Sequence, residues 1–237
     1  MNRKQIETHF GATWVDFMAP FVESKEFDNI LAALKTIKAG DGTTPVNVFP
    51  EAANVFRAFR ETPLDTLRVV IVGQDPYPKA GYSTGLAFGI PKDMTPIPPS
   101  LVKIIDGVET DCYSGLNFDK ANFDVTLESW AKQGVLLLNS ALTVKEGEPG
   151  THTELWAPFM KFFFDRLNVI CRDIVVCPWG SIANDTCKEV LVFNHFLQPK
   201  CDHPSAAARN KEAWKCTHFS AVNAIIVAHR KGDKIVW

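Results

Sequence analysis

The residues of this chain best equipped for chemistry are an acid, an aromatic, a side-chain amide and an imidazole, each set beside an apolar run or a stiff turn. Asp75 and Tyr77 stand in Gly73-Gln74-Asp75-Pro76-Tyr77, directly after Leu67-Arg68-Val69-Val70-Ile71-Val72. Phe88 ends Gly85-Leu86-Ala87-Phe88, Asn139 closes Val135-Leu136-Leu137-Leu138, and His203 opens His203-Pro204-Ser205. An acid and an aromatic on a Pro-stiffened loop after a strand are well positioned to form a reactive pocket. Read singly, each has an ordinary explanation. An Asp before Pro caps a turn, an Asn ends a strand as a turn residue, and a His before Pro is a satisfied loop histidine. Four together, at matching positions in an alternating chain, point to a reactive pocket.

The elements that must position them follow from apolar patterning. Leu67–Val72 is β-branched and apolar enough for a strand buried on both faces, and open α/β sheets bind ligands beyond the carboxyl ends of such strands. Further strands are predicted at Leu86–Ile90, Val135–Leu138 and Ile174–Cys177, with a weaker one at Phe196–Gln198. Helices are predicted between them at Pro99–Glu109, Leu127–Gln133, Glu154–Cys171 and Ser181–Val190, and a last one at Phe219–Arg230. Residues 1–65 read as mainly helical. Phe27, Ile30, Leu31, Leu34 and Ile37 form one face of a helix over Phe27–Lys38, ended by Gly40-Asp41-Gly42, and a short helix follows at Glu51–Arg60. Pro91–Pro99 is a surface loop. The expectation is an α/β fold in a single domain, 1–237, with a central, mostly parallel four-stranded sheet and helices on both faces.

Composition narrows the classes without choosing among them. Hydrophobic residues are 46% and charged residues 22%, ordinary values for a globular protein. No apolar run reaches the roughly 18 residues a membrane span needs, and Met1–Glu7 lacks the apolar core of a signal peptide. An intracellular, cytoplasmic protein is therefore expected. The six cysteines, Cys112, Cys171, Cys177, Cys187, Cys201 and Cys216, form no Cys-x-x-Cys pair, so they read as free thiols rather than metal or cluster ligands. With 25 basic and 27 acidic residues the net charge is −2, which excludes a charge-driven nucleic-acid binder but not an enzyme with a short basic and polar track.

With these motifs in view, the chain resembles the uracil-DNA glycosylases of the principal, uracil-excising family over nearly its full length. The resemblance rests on Val55–Arg60, Gly73–Tyr77, Pro98-Pro99-Ser100-Leu101, Leu127–Asn139, Trp179-Gly180-Ser181, His203-Pro204-Ser205 and His218-Phe219. The Gln-Asp-Pro-Tyr and Leu-Leu-Leu-Asn motifs are the most specific. Related glycosylases with an iron–sulfur cluster have other loops and clustered cysteines.

The resemblance implies hydrolysis of the N-glycosidic bond of uracil in DNA, starting base excision repair, with no cofactor and no metal. It implies that Asp75 positions or activates water and that a neutral His203 donates to uracil O2. Phe88 would stack on the flipped base, Asn139 would pair with its N3–H and O4, and Tyr77 would exclude a C5-methyl, with Gln74 also binding substrate. Ser100, Ser181 and Ser205 match backbone-gripping serines; Arg209 and Lys211, with Lys215, add a positive patch. Partners would be uracil-containing DNA, single- or double-stranded, and a DNA-mimicking protein inhibitor, with the protein a monomer.

Two departures stand out. Family members continue His-Pro-Ser with Pro-Leu-Ser, whereas here Ala206-Ala207-Ala208 follows; Ala207 takes the position of the Leu that wedges into the vacated stack. Pro78-Lys79 replaces a His after the Tyr. The chemical residues are kept and the DNA-distorting ones weakened, so single-stranded substrate should be preferred. A catalytically weakened uracil- or DNA-binding relative, or a decoy for DNA-mimic inhibitors, are the alternatives.

Overall fold

Val69–Gly73 (β2) and Val135–Asn139 (β3) are buried at every residue, which requires cover on both faces of the sheet they share. Burying each such Val, Leu or Ile contributes about 1.5–3 kcal/mol. The computed structural model describes residues 1–114, 116–171, 173–188, 201–229 and 232–237, together with the backbone of 195 and 196. Its main sheet has the order β3-β2-β5-β6, where β5 is Val175–Pro178 and β6 is His195–Phe196. All three pairings are parallel, with Val69 opposite both Val135 and Val175, so the carboxyl ends of the strands share one edge. The four-stranded parallel sheet expected from the alternation is present. Residues 197 and 198 of the weak strand, and 189, 190 and 230 at two expected helix ends, lie outside the described residues.

Helices surround the sheet. Arg3–Phe10 (α1), Val15–Val22 (α2), Lys25–Ala39 (α3) and Arg57–Glu61 (α4) form the amino-terminal part. They meet the long helix Thr153–Ile170 (α7) through an aromatic cluster that includes Trp14, Phe17, Phe59 and Phe163. Pro99–Cys112 (α5), Glu128–Ala131 (α6), Ser181–Cys187 (α8), Pro204–Asn210 (α9) and His218–Ala228 (α10) complete the helices. A second aromatic cluster joins Trp130, Trp179, Trp214, Phe219 and Trp237. One continuous core runs from Ile6 to Trp237. No helix is long and apolar enough to cross a membrane among the described residues.

Three expectations are corrected. Leu86–Ile90 is a loop: a single bond from Ala87 N–H to Leu137 O runs beside β3, and Phe88 turns the chain at φ 67°. Its apolar residues are buried because they back the pocket described below, not because they pair. Glu51–Arg60 is a 3-10 turn at Ala52–Asn54 followed by α4, and a small antiparallel pair, Val48–Phe49 (β1) with Val144–Lys145 (β4), was not foreseen. Finally, Cys201 and Cys216 are joined in a disulfide, while Cys112, Cys171, Cys177 and Cys187 are free. The 15-residue separation carries no sequence signal; the fold creates the pair. Gly180 N–H donates to Cys201 O, and Trp214 packs on Trp179, which returns the chain to the same place. A closed loop of this size contributes about 3 kcal/mol by chain entropy.

Candidate active site

Where β2 ends, the chain has no room for a side chain. A Cβ on Gly73 would lie 2.6 Å from Asn139 Oδ1 and 2.8 Å from Phe88 Cζ. The register explains the crowding, since Gly73 is opposite Asn139, the last residue of β3. Phe88 arrives over the same point from its positive-φ turn. The amide of Asn139, 8% exposed, and the ring of Phe88 are thereby brought together over the strand ends.

Beyond Gly73 lies a cavity of about 270 Å³. Its lining includes Gln74, Asp75, Tyr77, Leu86 and Phe88 from the loops after β2, and Ser100, Pro149, His203, Ser205 and Arg209 from elsewhere in the chain. The Tyr77 hydroxyl donates to Phe88 O at 3.1 Å and lies 3.1 Å from Ser100 Oγ, so the phenol is locked upright between loop and helix α5. Burial raises its pKa well above the ordinary phenol value and keeps it a neutral donor. The Phe88 ring rests on Trp179 at 5.2 Å and faces the His203 ring at 5.6 Å.

Asp75 and His203 respond oppositely to the same burial. Loss of water raises the Asp75 carboxyl pKa, and the Gly150 N–H, donating to Oδ2, works against that rise. Burial, helped by the Arg209 charge, lowers His203 to about 4. His203 Nδ1 accepts from Ser205 N–H at 3.2 Å and lies 2.7 Å from Ser205 Oγ, which itself accepts from Arg209 at 3.3 Å. Nδ1 is therefore the acceptor nitrogen, and the proton of the neutral ring sits on Nε2. Gly180 permits this approach: at φ +97° it runs so close that a Cβ would meet His203 Cβ at 2.8 Å.

The outer residues divide. Ser100 and Ser205 reach the cavity, each the second residue of its helix; Ser181 opens α8 without lining it. Arg209 lines the lip, one turn beyond Ser205, while Lys211 lies exposed just past α9. Ala207 holds the position expected of the wedge. It is only 8% exposed and belongs to the core, because α9 turns that face inward where it packs on α5. Pro149 and Gly150 are contributors that sequence reasoning missed; the turn-forming run Gly147-Glu148-Pro149-Gly150 was the available signal.

A single group of His and Cys with metal-ligand proximity occurs among the described residues: Cys201, Cys216 and His218, within 4.8 Å of one another. It does not suit a metal as it stands. The two sulfurs are bonded to each other, and His218 Nδ1 accepts the Trp179 indole N–H at 3.2 Å, which puts the neutral ring's proton on the other nitrogen.

Comparison with known proteins identifies the family. The sequence profile of the Uracil DNA glycosylase superfamily matches residues 59–226. The uracil-DNA glycosylase of Buchnera aphidicola subsp. Cinara cedri is 35% identical, over 96% of this chain and 96% of its own length. That of Agrobacterium fabrum is 36% identical over 94% and 86%. The crystal structure of mimivirus uracil-DNA glycosylase superposes with a TM-score of 0.83 at 22% identity, covering 99% of this chain and 89% of that one. A mimivirus variant crystallised in complex with UGI matches equally well, TM-score 0.83 at 23% identity over 100% and 91%. A family profile over most of the chain, with relatives more than a third identical along its length, leads to one conclusion: this chain belongs to the uracil-DNA glycosylase superfamily.

Proposed function

We propose that this protein hydrolyses the N-glycosidic bond of uracil in DNA, releasing free uracil and leaving an abasic site. The observation that carries the reading is the convergence of Asp75, Tyr77, Phe88 and His203 on one cavity at the strand ends, beside Asn139. A base must leave the stack to enter a pocket this deep. Phe88 offers a face for stacking, and Asn139 a paired acceptor and donor for N3–H and O4. Tyr77, held by Phe88 O and Ser100, walls off the space a C5-methyl would need. Gln74 lines the same wall.

In the reaction the C1′–N1 bond breaks with its electron pair passing to uracil, a water oxygen forms the new bond to C1′ and gives up a proton through Asp75 to solvent, and the released uracil anion takes up a proton from solvent. Asp75 opposes the positive charge that develops on the sugar and orients that water. His203 donates from Nε2 to O2 as negative charge grows there. A donor already aimed at developing charge is among the larger catalytic contributions. Ser100, Ser181 and Ser205, each at a helix start, and the cations Arg209 and Lys211 grip the phosphates. The protein works without cofactor or metal, as a cytoplasmic monomer.

The inward position of Ala207 favours a refinement, a preference for single-stranded DNA, because the methyl group at that position is buried and too small to fill the vacated stack. It also supports the second reading, a relative that binds uracil-DNA or a DNA-mimicking inhibitor but turns over poorly. Single-turnover release of uracil from single- and double-stranded oligonucleotides decides between them. Wild-type protein should release uracil, faster from single strands, and Asp75→Asn should bind the same DNA yet release uracil about 100-fold more slowly or worse. Tight binding without release by the wild type would select the second reading.

A further inference from the structure

Asp75 has two carboxylate oxygens but the surrounding protein speaks to one of them. Gly150 N–H donates to Oδ2; Asp75 lines the cavity, and among the described residues no donor is bonded to its Oδ1. The donor belongs to the turn between β4 and α7, and that turn is fastened unusually well. Gly147 N–H donates to Pro78 O at 2.8 Å, tying it to the Asp75 loop itself. Thr153 donates to Gly150 O through both its N–H and its hydroxyl, at 3.3 and 3.1 Å. Beneath the turn lies a buried polar chain. The Trp156 indole N–H donates to Thr143 Oγ1 at 2.7 Å, and that oxygen pairs with His152 Nδ1 at 2.9 Å. These three residues are 0%, 2% and 3% exposed. A buried polar network of this kind favours one geometry, since breaking a link strands the polar groups it joined.

We infer that Trp156, Thr143 and His152 are positioning residues: they hold the Gly150 N–H on Asp75 Oδ2 and so leave Oδ1 as the oxygen that meets water and sugar. The inference rests on the hydrolytic reading above and goes beyond it by naming the working oxygen and the device that selects it. Its consequence is kinetic and acid-sensitive. An amide N–H on a carboxylate favours the ionised form, so losing that bond raises the pH at which Asp75 becomes a carboxylate. The other charged or titratable groups near it are Tyr77 on its own loop, His203 and Arg209, which also line the cavity, and Lys145, Glu146, Glu148, His152 and Glu154 around the turn, where Lys145 pairs with Glu148 at 2.6 Å. Of these only His152 loses a partner in Thr143→Val, and its own ring titration, followed by NMR, separates its effect from that of Asp75.

Thr143→Val keeps the shape and removes the hydroxyl that links indole to imidazole; Thr143→Ser restores it. Full-length protein is assayed for uracil release across pH, with unfolding midpoints recorded alongside. Thr143→Val should lower kcat about tenfold with a KM change under about twofold, and should move the acid limb of kcat to higher pH. Thr143→Ser should recover both. Independently of activity, the Gly150 amide proton should titrate with Asp75 by NMR in wild type and lose that titration in Thr143→Val. Equal behaviour of the Val and Ser variants, or a rate loss with no movement of the acid limb, would reduce the network to ordinary structural support. Absence of uracil release by wild type would instead remove the functional reading, while the NMR titration would still report whether the clamp exists.

Discussion

The two walls of the cavity are built by opposite means. On the Asp75 wall, a strand end and a turn distant in sequence are laced together by backbone bonds, and the key carboxylate receives its donor from a residue 75 positions away. On the His203 wall everything is local: the imidazole caps its own helix through Ser205, two residues on, and Arg209 follows one turn later. The Cys201–Cys216 bond closes that segment into a loop. Burial pushes both groups toward neutrality, yet the polar neighbours act in opposite senses. An N–H opposes the shift at Asp75, whereas a guanidinium reinforces it at His203. The difference teaches that desolvation, the larger cause at both groups, sets the direction of each shift, while the neighbours moderate it at Asp75 and deepen it at His203.

The comparison is broken most severely by removing the donor from the local wall. His203→Ala should slow uracil release about 100- to 1,000-fold, a loss expected in kcat more than in DNA binding, as single-turnover rates beside binding isotherms would reveal. Unchanged kcat would leave the Asp75 wall as the whole of the chemistry.

Next in size is a pH effect on folding. His203 is held at about 4 against an ordinary 6.5, so between those values the unfolded chain binds a proton that the folded chain refuses. Its contribution to stability is therefore lost as pH falls from about 6.5 toward 4, by on the order of 2–3 kcal/mol. Asp75, shifted upward, works in the reverse direction: its contribution is present at low pH and lost as pH rises through its folded value. Denaturant unfolding at pH 7 and pH 5 should show a smaller drop in stability for His203→Gln than for wild type. An identical pH slope in the two proteins would contradict the neutral, buried imidazole.

The smallest effect sharpens the role of the lip. Arg209→Ala removes the positive charge that helps depress His203, so the NMR titration midpoint of the His203 ring should move upward. The desolvation that dominates the shift remains, so it should stay below the ordinary value. No movement would place the Arg209 charge in solvent, away from the imidazole.

Much of this was legible in the chain itself. The apolar runs at 67–72, 135–138 and 174–177 are too short for helices and too apolar for a half-exposed strand, so the parallel sheet followed from them. The loop Gly73–Tyr77, the amide at Asn139 and the imidazole at His203 were legible because a strand's carboxyl end is where such a fold offers a pocket. Leu86–Ile90 misled for a physical reason. An apolar run shows that a segment is buried, and the lining of a pocket is buried as thoroughly as a sheet.

What the sequence by itself determined is the sheet, the order of its strands' chemistry and the family, because short-range patterning and motif spacing encode those directly. What only the tertiary structure decided is how each group is held. The Gly150 donor on Asp75, the Trp156–Thr143–His152 network beneath it, the Cys201–Cys216 bond and the inward face of Ala207 all depend on segments whose meeting leaves no local trace. A hydrogen bond or a disulfide needs its partners within a few ångströms, and for residues separated by tens of positions only the packing of the whole chain sets that distance.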